Sequence, residues 1–130
     1  LIGTNTAECH PIVFNRLKKH HKKNKNVKLI VVDPRRTATA KDADLHLAIK
    51  PGTDIALMNG IAHLLIRRGT HDPMFIDYFT DGFAEYAQVV EHYTPERVAE
   101  ICGISQEGVE TAARMWGESQ RVLSLWSMGD

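Results

Sequence analysis

The sequence predicts an α/β fold built on a parallel sheet with flanking helices. Residues 27–32 (VKLIVV) form a mostly β-branched apolar run, as expected of a strand buried on both faces. Residues 45–49 (LHLAI) lead into Pro51-Gly52 and then a long apolar stretch, so strand, turn and helix follow one another. Strand-like fragments lie at both ends, at Leu1-Ile2 and at residues 122–126.

Taken in order, Leu1 and Ile2 read as the last residues of a strand. Pro11 suits the first turn of a helix, where its missing N–H costs nothing. Ile12, Val13, Phe14 and Leu17 give that helix an apolar face. It ends in a basic run, residues 18–25, whose positive charge favours a helix C-terminus. His20 and His21 lack companions at metal spacing and read as solvent-facing. The second strand, residues 27–32, stops at Asp33-Pro34, and the third covers residues 45–49. Thr53 or Asp54 then caps a helix whose predicted inner face is Met58, Ile61, Ala62 and Leu65, ending at Arg67-Arg68-Gly69. Residues 72–119 read as helical and irregular, with helix starts at Thr94-Pro95-Glu96-Arg97 and Ser105-Gln106-Glu107. Residues 122–126 are the predicted fourth strand.

The totals narrow the function. At 130 residues the chain suits one domain or a piece of something larger. Sixteen basic residues balance sixteen acidic ones, so no global field directs it to nucleic acid or a membrane surface. Its longest uncharged apolar run, residues 55–66, is shorter than the ~18 residues of a membrane span. Cys9 and Cys102 form no CxxC and no metal spacing. No GxGxxG and no GxxxxGK[ST] is present, which argues against an ordinary nicotinamide domain and a P-loop.

A parallel sheet gathers the loops after its strands along one edge, where open α/β folds bind ligands. Here those loops are residues 3–10, 33–37, 51–54 and 127–129. Gly3 permits close backbone approach, or is only a turn glycine. Thr4, Asn5 and Thr6 offer polar partners before a helix start. Asp33 is placed like an acid that accepts a ribose hydroxyl, and Asp33-Pro34 is equally a common strand-to-turn step. Arg35 or Arg36 suits a phosphate or a base face. Asp54 offers two acceptors to one edge of a guanine, or caps its helix. These residues point to a nucleotide-binding α/β domain.

The strings GTNTAECHP (3–11), VVDPRRTATAKDAD (31–44), KPGTDIALMNGIAHLLI (50–66) and LWSMG (125–129) resemble the molybdopterin oxidoreductases, which hold molybdenum through two molybdopterin guanine dinucleotides. The first string is most similar to the nitrate reductase branch, and the whole to its bacterial or cyanobacterial assimilatory members. The resemblance implies a dinucleotide-binding-like (Rossmann-like) domain over residues 1–130 inside a longer enzyme. It implies that Ile2, Gly3, Thr4, Asn5, Thr6, Ala7, Glu8 and Cys9 wrap one pterin guanine dinucleotide, Cys9 by backbone or shape rather than by its thiol. Asp33, Pro34, Arg35, Arg36 and Thr37 would meet the nucleotide part, Gly52, Thr53 and Asp54 would complete the pocket, and Met128 would lie near the cofactor.

The family's iron–sulfur cysteine motif and its protein ligand to molybdenum have no match here. The expectation is therefore an excised cofactor-binding segment with no catalytic residue and no metal ligand of its own, inactive alone. The parent implied by the resemblance reduces nitrate to nitrite, with a [4Fe-4S] cluster outside this segment passing electrons from ferredoxin, flavodoxin or a reductase subunit. Such a parent is cytoplasmic if assimilatory and periplasmic if of the respiratory type, without a nucleic-acid partner or a membrane span. A formate dehydrogenase or related oxidoreductase is the alternative within the family. A stand-alone nucleotide-binding module is the alternative outside it.

Overall fold

The structure is a computed structural model that describes residues 1–126; Met128 lies outside the described residues. The described chain divides into two compact units, Leu1–Asp54 with residues 123–126, and Ile55–Val122.

The first unit contains helices α1 (Thr6–Cys9) and α2 (Pro11–Lys23), strand β1 (Ile30–Val32), a 3₁₀ turn at Ala40–Asp42 and strand β2 (Leu45–Leu47). β1 and β2 pair in parallel, with Ile30 opposite Leu45, Val31 opposite His46 and Val32 opposite Leu47. Ile2 forms parallel bridges to Val32 on one side and Trp126 on the other. The backbone ladder confirms the continuation: Val32 N–H donates to Leu1 O, Gly3 N–H to Val32 O and Ile2 N–H to Leu125 O, each at 2.8 Å. In space the order is third, second, first, fourth strand segment, that of a dinucleotide-binding half-sheet, and it reverses at Ile2.

The ladder is shorter than the sequence predicts. Residues 27–29 lie outside β1: the Val27 N–H closes a turn on Asn24 O at 3.0 Å, and the Leu29 amide is taken by the Asp44 carboxylate at 2.7 Å. Leu29, Val31 and Ala40 form a buried cluster, with Leu1, Leu17 and Ala43 packed against it. On α2 only Phe14 is buried; Ile12 is 77% exposed, so the apolar face is narrower than predicted. His21 is not solvent-facing either. Its Nε2 lies 2.8 Å from Asp44 Oδ2, and Lys18 pairs with Asp42 at 2.6 Å. Asp44 thus joins α2, the approach to β1 and the start of β2. Burial pushes its carboxyl upward, but the Leu29 N–H, the His21 ring and Lys28 outweigh that and hold it below the ordinary carboxylate value.

The second unit is helical. Most of α3 (Asp54–Arg67) belongs to it, followed by α4 (Pro73–Phe79), α5 (Phe83–Glu91), α6 (Pro95–Cys102) and α7 (Gln106–Gly117). Each of three starts carries a side-chain cap: Asp72 Oδ1 accepts from Phe75 N–H at 3.0 Å, Thr94 Oγ1 from Arg97 N–H at 3.4 Å, and Ser105 Oγ from Gly108 N–H at 3.1 Å. Gly103 ends α6 in the left-handed region at φ 70°, where a glycine avoids the Cβ clash. Leu57, Val90, Val98, Cys102, Val109, Ala112 and Ala113 are fully buried. The inner face of α3 is Leu57, Gly60, Ile61, His63 and Leu64, turned by about one residue from the predicted face. Gly60 explains the turn: a Cβ there would stand 2.7 Å from Val98 Cγ2, so α6 packs where glycine leaves room.

Candidate functional site

Three strand ends meet in a cavity of about 210 Å³ in the first unit, lined by Ile2, Gly3, Val32, Pro34, Ile49, Pro51, Gly52 and Asp54. It lies at the carboxyl ends of the strands, beside the reversal of strand order at Ile2. The residues predicted from the sequence that meet here are Ile2, Gly3, Pro34, Gly52 and Asp54. Pro51 belongs to the predicted loop 51–54 without a role assigned to it, and sequence reading missed Val32 and Ile49. Val32 and Ile49 look like ordinary strand residues, and only their place at the end of a run marks them.

Both glycines have positive φ, 58° at Gly3 and 79° at Gly52. A side chain at either would be strained, and a Cβ at Gly52 would meet no heavy atom within 4 Å, so the backbone itself faces open space. Thr53 supports the turn: its hydroxyl donates to Lys50 O at 2.7 Å. Asp54 opens α3, half-buried, with its residue on the cavity wall.

The second loop is a chain of nested turns. Asp33 is 5% exposed, and its Oδ1 accepts from Arg35 N–H at 2.8 Å, an Asx turn that sends Pro34, Arg35 and Arg36 outward. Its carbonyl oxygen accepts from His46 Nε2 at 2.8 Å, which places the proton on that nitrogen. Thr37 closes the next turn, accepting from Ala40 N–H at its Oγ1, 3.3 Å.

The first loop turns its two threonines inward and leaves Glu8, Cys9 and His10 exposed. Thr4 and Thr6 are buried and their hydroxyls share a hydrogen bond of 3.1 Å. Asn5 Nδ2 donates to Glu8 Oε2 at 2.8 Å. Thr39, fully buried, donates from Oγ1 to Asn5 Oδ1 at 3.0 Å and accepts there from Ala7 N–H at 2.9 Å. Cys9 is exposed at the end of α1, a single turn. Thr39 and His46 are thus the residues that hold the loops and that sequence reading missed. A threonine among small residues and a lone strand histidine carry no local signal of an inward partner.

A larger hollow of about 560 Å³ lies in the second unit, lined by His63, Arg67, Glu91 and Thr94 among others. The His63 ring already donates from Nδ1 to Val90 O at 3.0 Å, and no predicted loop reaches it. Among the described residues no group of three or more His, Cys, Asp or Glu is placed to hold a metal ion, and no helix is long and apolar enough to cross a membrane.

Residues 1–126 match the molybdopterin oxidoreductase family. Over 129 residues the chain is 65% identical to nitrate reductase from Synechocystis sp., covering 99% of this chain and 18% of that protein. It is 42% identical over 129 residues to formate dehydrogenase H from Escherichia coli, with the same two coverages of 99% and 18%. Among solved structures, acetylene hydratase from Pelobacter acetylenicus superposes with a TM-score of 0.88 at 35% identity, covering 97% of this chain and 17% of that one. The chain therefore spans less than a fifth of the length of these relatives. It belongs to the molybdopterin oxidoreductase family, which implies a molybdenum–pterin cofactor.

Proposed function

We propose that this chain holds the guanosine end of a molybdenum bis-molybdopterin guanine dinucleotide within a longer nitrate reductase. The observation that supports this most is the cavity where strand ends meet, with Gly3 and Gly52 presenting backbone and Asp54 on its wall. At about 210 Å³ it is smaller than the roughly 300 Å³ of a site for a whole drug-sized ligand, so it suits one moiety, a base or a sugar. A planar ring lies against backbone at positive-φ glycines as it cannot against a Cβ. The Asp54 carboxylate supplies two acceptors, which match the adjacent N–H donors on one edge of guanine better than anything adenine presents. Arg35 and Arg36, exposed beside the cleft, suit the phosphates.

When bound, the molybdenum centre supplies two-electron oxygen-atom transfer that turns nitrate into nitrite. The chain's part is grip and orientation. A [4Fe-4S] cluster elsewhere in the longer protein, fed by ferredoxin, flavodoxin or a reductase subunit, completes the reading. The compartment is the cytoplasm for an assimilatory enzyme and the periplasm for a respiratory one. The 42% identity to a formate dehydrogenase favours a second reading with the same cleft and a different reaction. The protein ligand to molybdenum separates the two, since selenocysteine or cysteine there favours formate oxidation.

Amide NMR of the 130-residue chain, first shown to be folded by its dispersed spectrum, tests the nucleotide reading with GDP against NADP. Shifts confined to residues 3–8, 33–37 and 52–54 with GDP, and weakened about tenfold or more by Asp54→Asn, are expected. Preference for NADP would overturn it.

A further inference from the structure

We infer that Thr39 is a positioning residue that locks the loop after the first strand to the loop after β1, and so presets the guanine-nucleotide cleft. The inference rests on the nucleotide reading above. Thr39 lies beyond the turn residues 33–37, is fully buried, and projects no atom to solvent. An amide N–H only donates and an amide oxygen only accepts, so the roles at the Thr39 hydroxyl are fixed: it accepts from Ala7 N–H at 2.9 Å and donates to Asn5 Oδ1 at 3.0 Å.

Fixing Oδ1 toward Thr39 also fixes the other end of the Asn5 amide. Its Nδ2 then faces Glu8, to which it donates at 2.8 Å. The Asn5 carbonyl accepts from Glu8 N–H at 3.0 Å and Cys9 N–H at 2.9 Å, so the single turn α1 hangs from the same residue. One hydroxyl therefore orients the segment that leads out of Gly3. A turn of four residues is too short to be stable by its own backbone bonds, because helix nucleation is unfavourable without tertiary support. On the other side, Thr39 is held by its own loop: Lys41 N–H donates to Thr37 O at 3.2 Å and Asp42 N–H to Thr39 O at 3.4 Å. The first loop is thus referred to the second, and the second to the sheet through Asp33 and His46.

Thr39→Val keeps the shape and deletes the hydroxyl, leaving the half-buried Ala7 N–H and Asn5 Oδ1 without that partner; Thr39→Ser keeps the hydroxyl. Hydrogen exchange at the Ala7 amide reads the lock in the free chain, and GDP titration reads its consequence. The expected result is faster Ala7 exchange and about tenfold weaker GDP binding in Thr39→Val, with Thr39→Ser close to the parent in both. Unchanged Ala7 protection in Thr39→Val overturns the lock. Faster exchange with unchanged GDP affinity overturns the positioning role, and so does Thr39→Ser losing as much as Thr39→Val, which would make the methyl packing responsible. A parent chain that is folded and ignores GDP overturns the nucleotide reading, and this inference with it, before any variant is made.

Discussion

The two units of the chain are held together in different ways. In the second, caps and an apolar interior dominate, with the His63 bond to Val90 O as a long-range polar tie: Asp72, Thr94 and Ser105 each close a helix start within three residues, and Leu57, Val98 and Val109 are fully buried. In the first, single polar side chains reach across long stretches of sequence. Asp44 binds the Leu29 amide and the His21 ring, Thr39 binds Asn5 and Ala7, and His46 binds the Asp33 carbonyl. The cleft proposed to bind nucleotide lies in the unit built the second way. Loops whose shape must suit a ligand cannot bury much apolar surface, so directional hydrogen bonds take over the holding.

The largest effect expected from this comparison is a core truncation in the helical unit. Leu57→Ala leaves a cavity at a position with no exposure and should cost about 2–5 kcal/mol. Urea unfolding in a Trp126→Phe background, followed by Trp116 on α7, measures it, since the chain has only these two tryptophans. A loss below about 1 kcal/mol would mean that the helical unit does not rest on its interior, and the contrast would fail.

A smaller effect is expected at Asp44 in the sheet-bearing unit. Asp44→Asn removes the charge that the Leu29 amide and the His21 ring engage, at a cost of about 1–2 kcal/mol at neutral pH. The folded carboxyl is held below its unfolded value of about 3.9, so its contribution is complete above that pH and is lost as pH falls through the lowered folded value. The parent and Asp44→Asn should therefore differ at pH 7 and converge in acid, read from the Leu29 amide signal during urea unfolding at each pH. A gap that persists in acid would show that shape rather than charge makes this clamp.

The same contrast explains what could be read from the sequence. The helix starts at Thr94 and Ser105 were legible because a cap acts over three residues, and the parallel sheet because a β-branched run and a Pro-Gly turn are local signals. The face of α3 was misread because Gly60 against Val98 is a fit between distant residues, invisible to periodicity. The cleft was half legible. Gly3, Pro34, Gly52 and Asp54 sit in turns that follow strands, so topology alone brings them together. Thr39 and His46 depend on partners 34 and 13 residues away, and no spacing rule reaches that far; Thr4 and Thr6 bond each other two positions apart, and nothing local marks them as buried.

Glu96, in the helical unit, gives the smallest effect and the sharpest contrast with Asp44. Its carboxyl also stands below the ordinary value, first through its own backbone N–H and then through the Thr94 hydroxyl, with the His63 charge and the Gln106 amide adding to the same direction. All of these partners but His63 belong to the first turn of α6 or the start of α7, and Glu96 itself is exposed. The sign is the same as for Asp44: stabilisation is present above the unfolded carboxylate value and is lost as pH falls through the folded one. The size differs because solvent and salt screen an exposed carboxylate. Glu96→Gln keeps the hydrogen-bonding shape and removes the charge, so the Trp116 unfolding midpoint should fall slightly at neutral pH, less in high salt, and not at all in acid. A fall as large as that of Asp44→Asn would mean that the helical unit also leans on individual charges, and the division between the two units would dissolve at this residue.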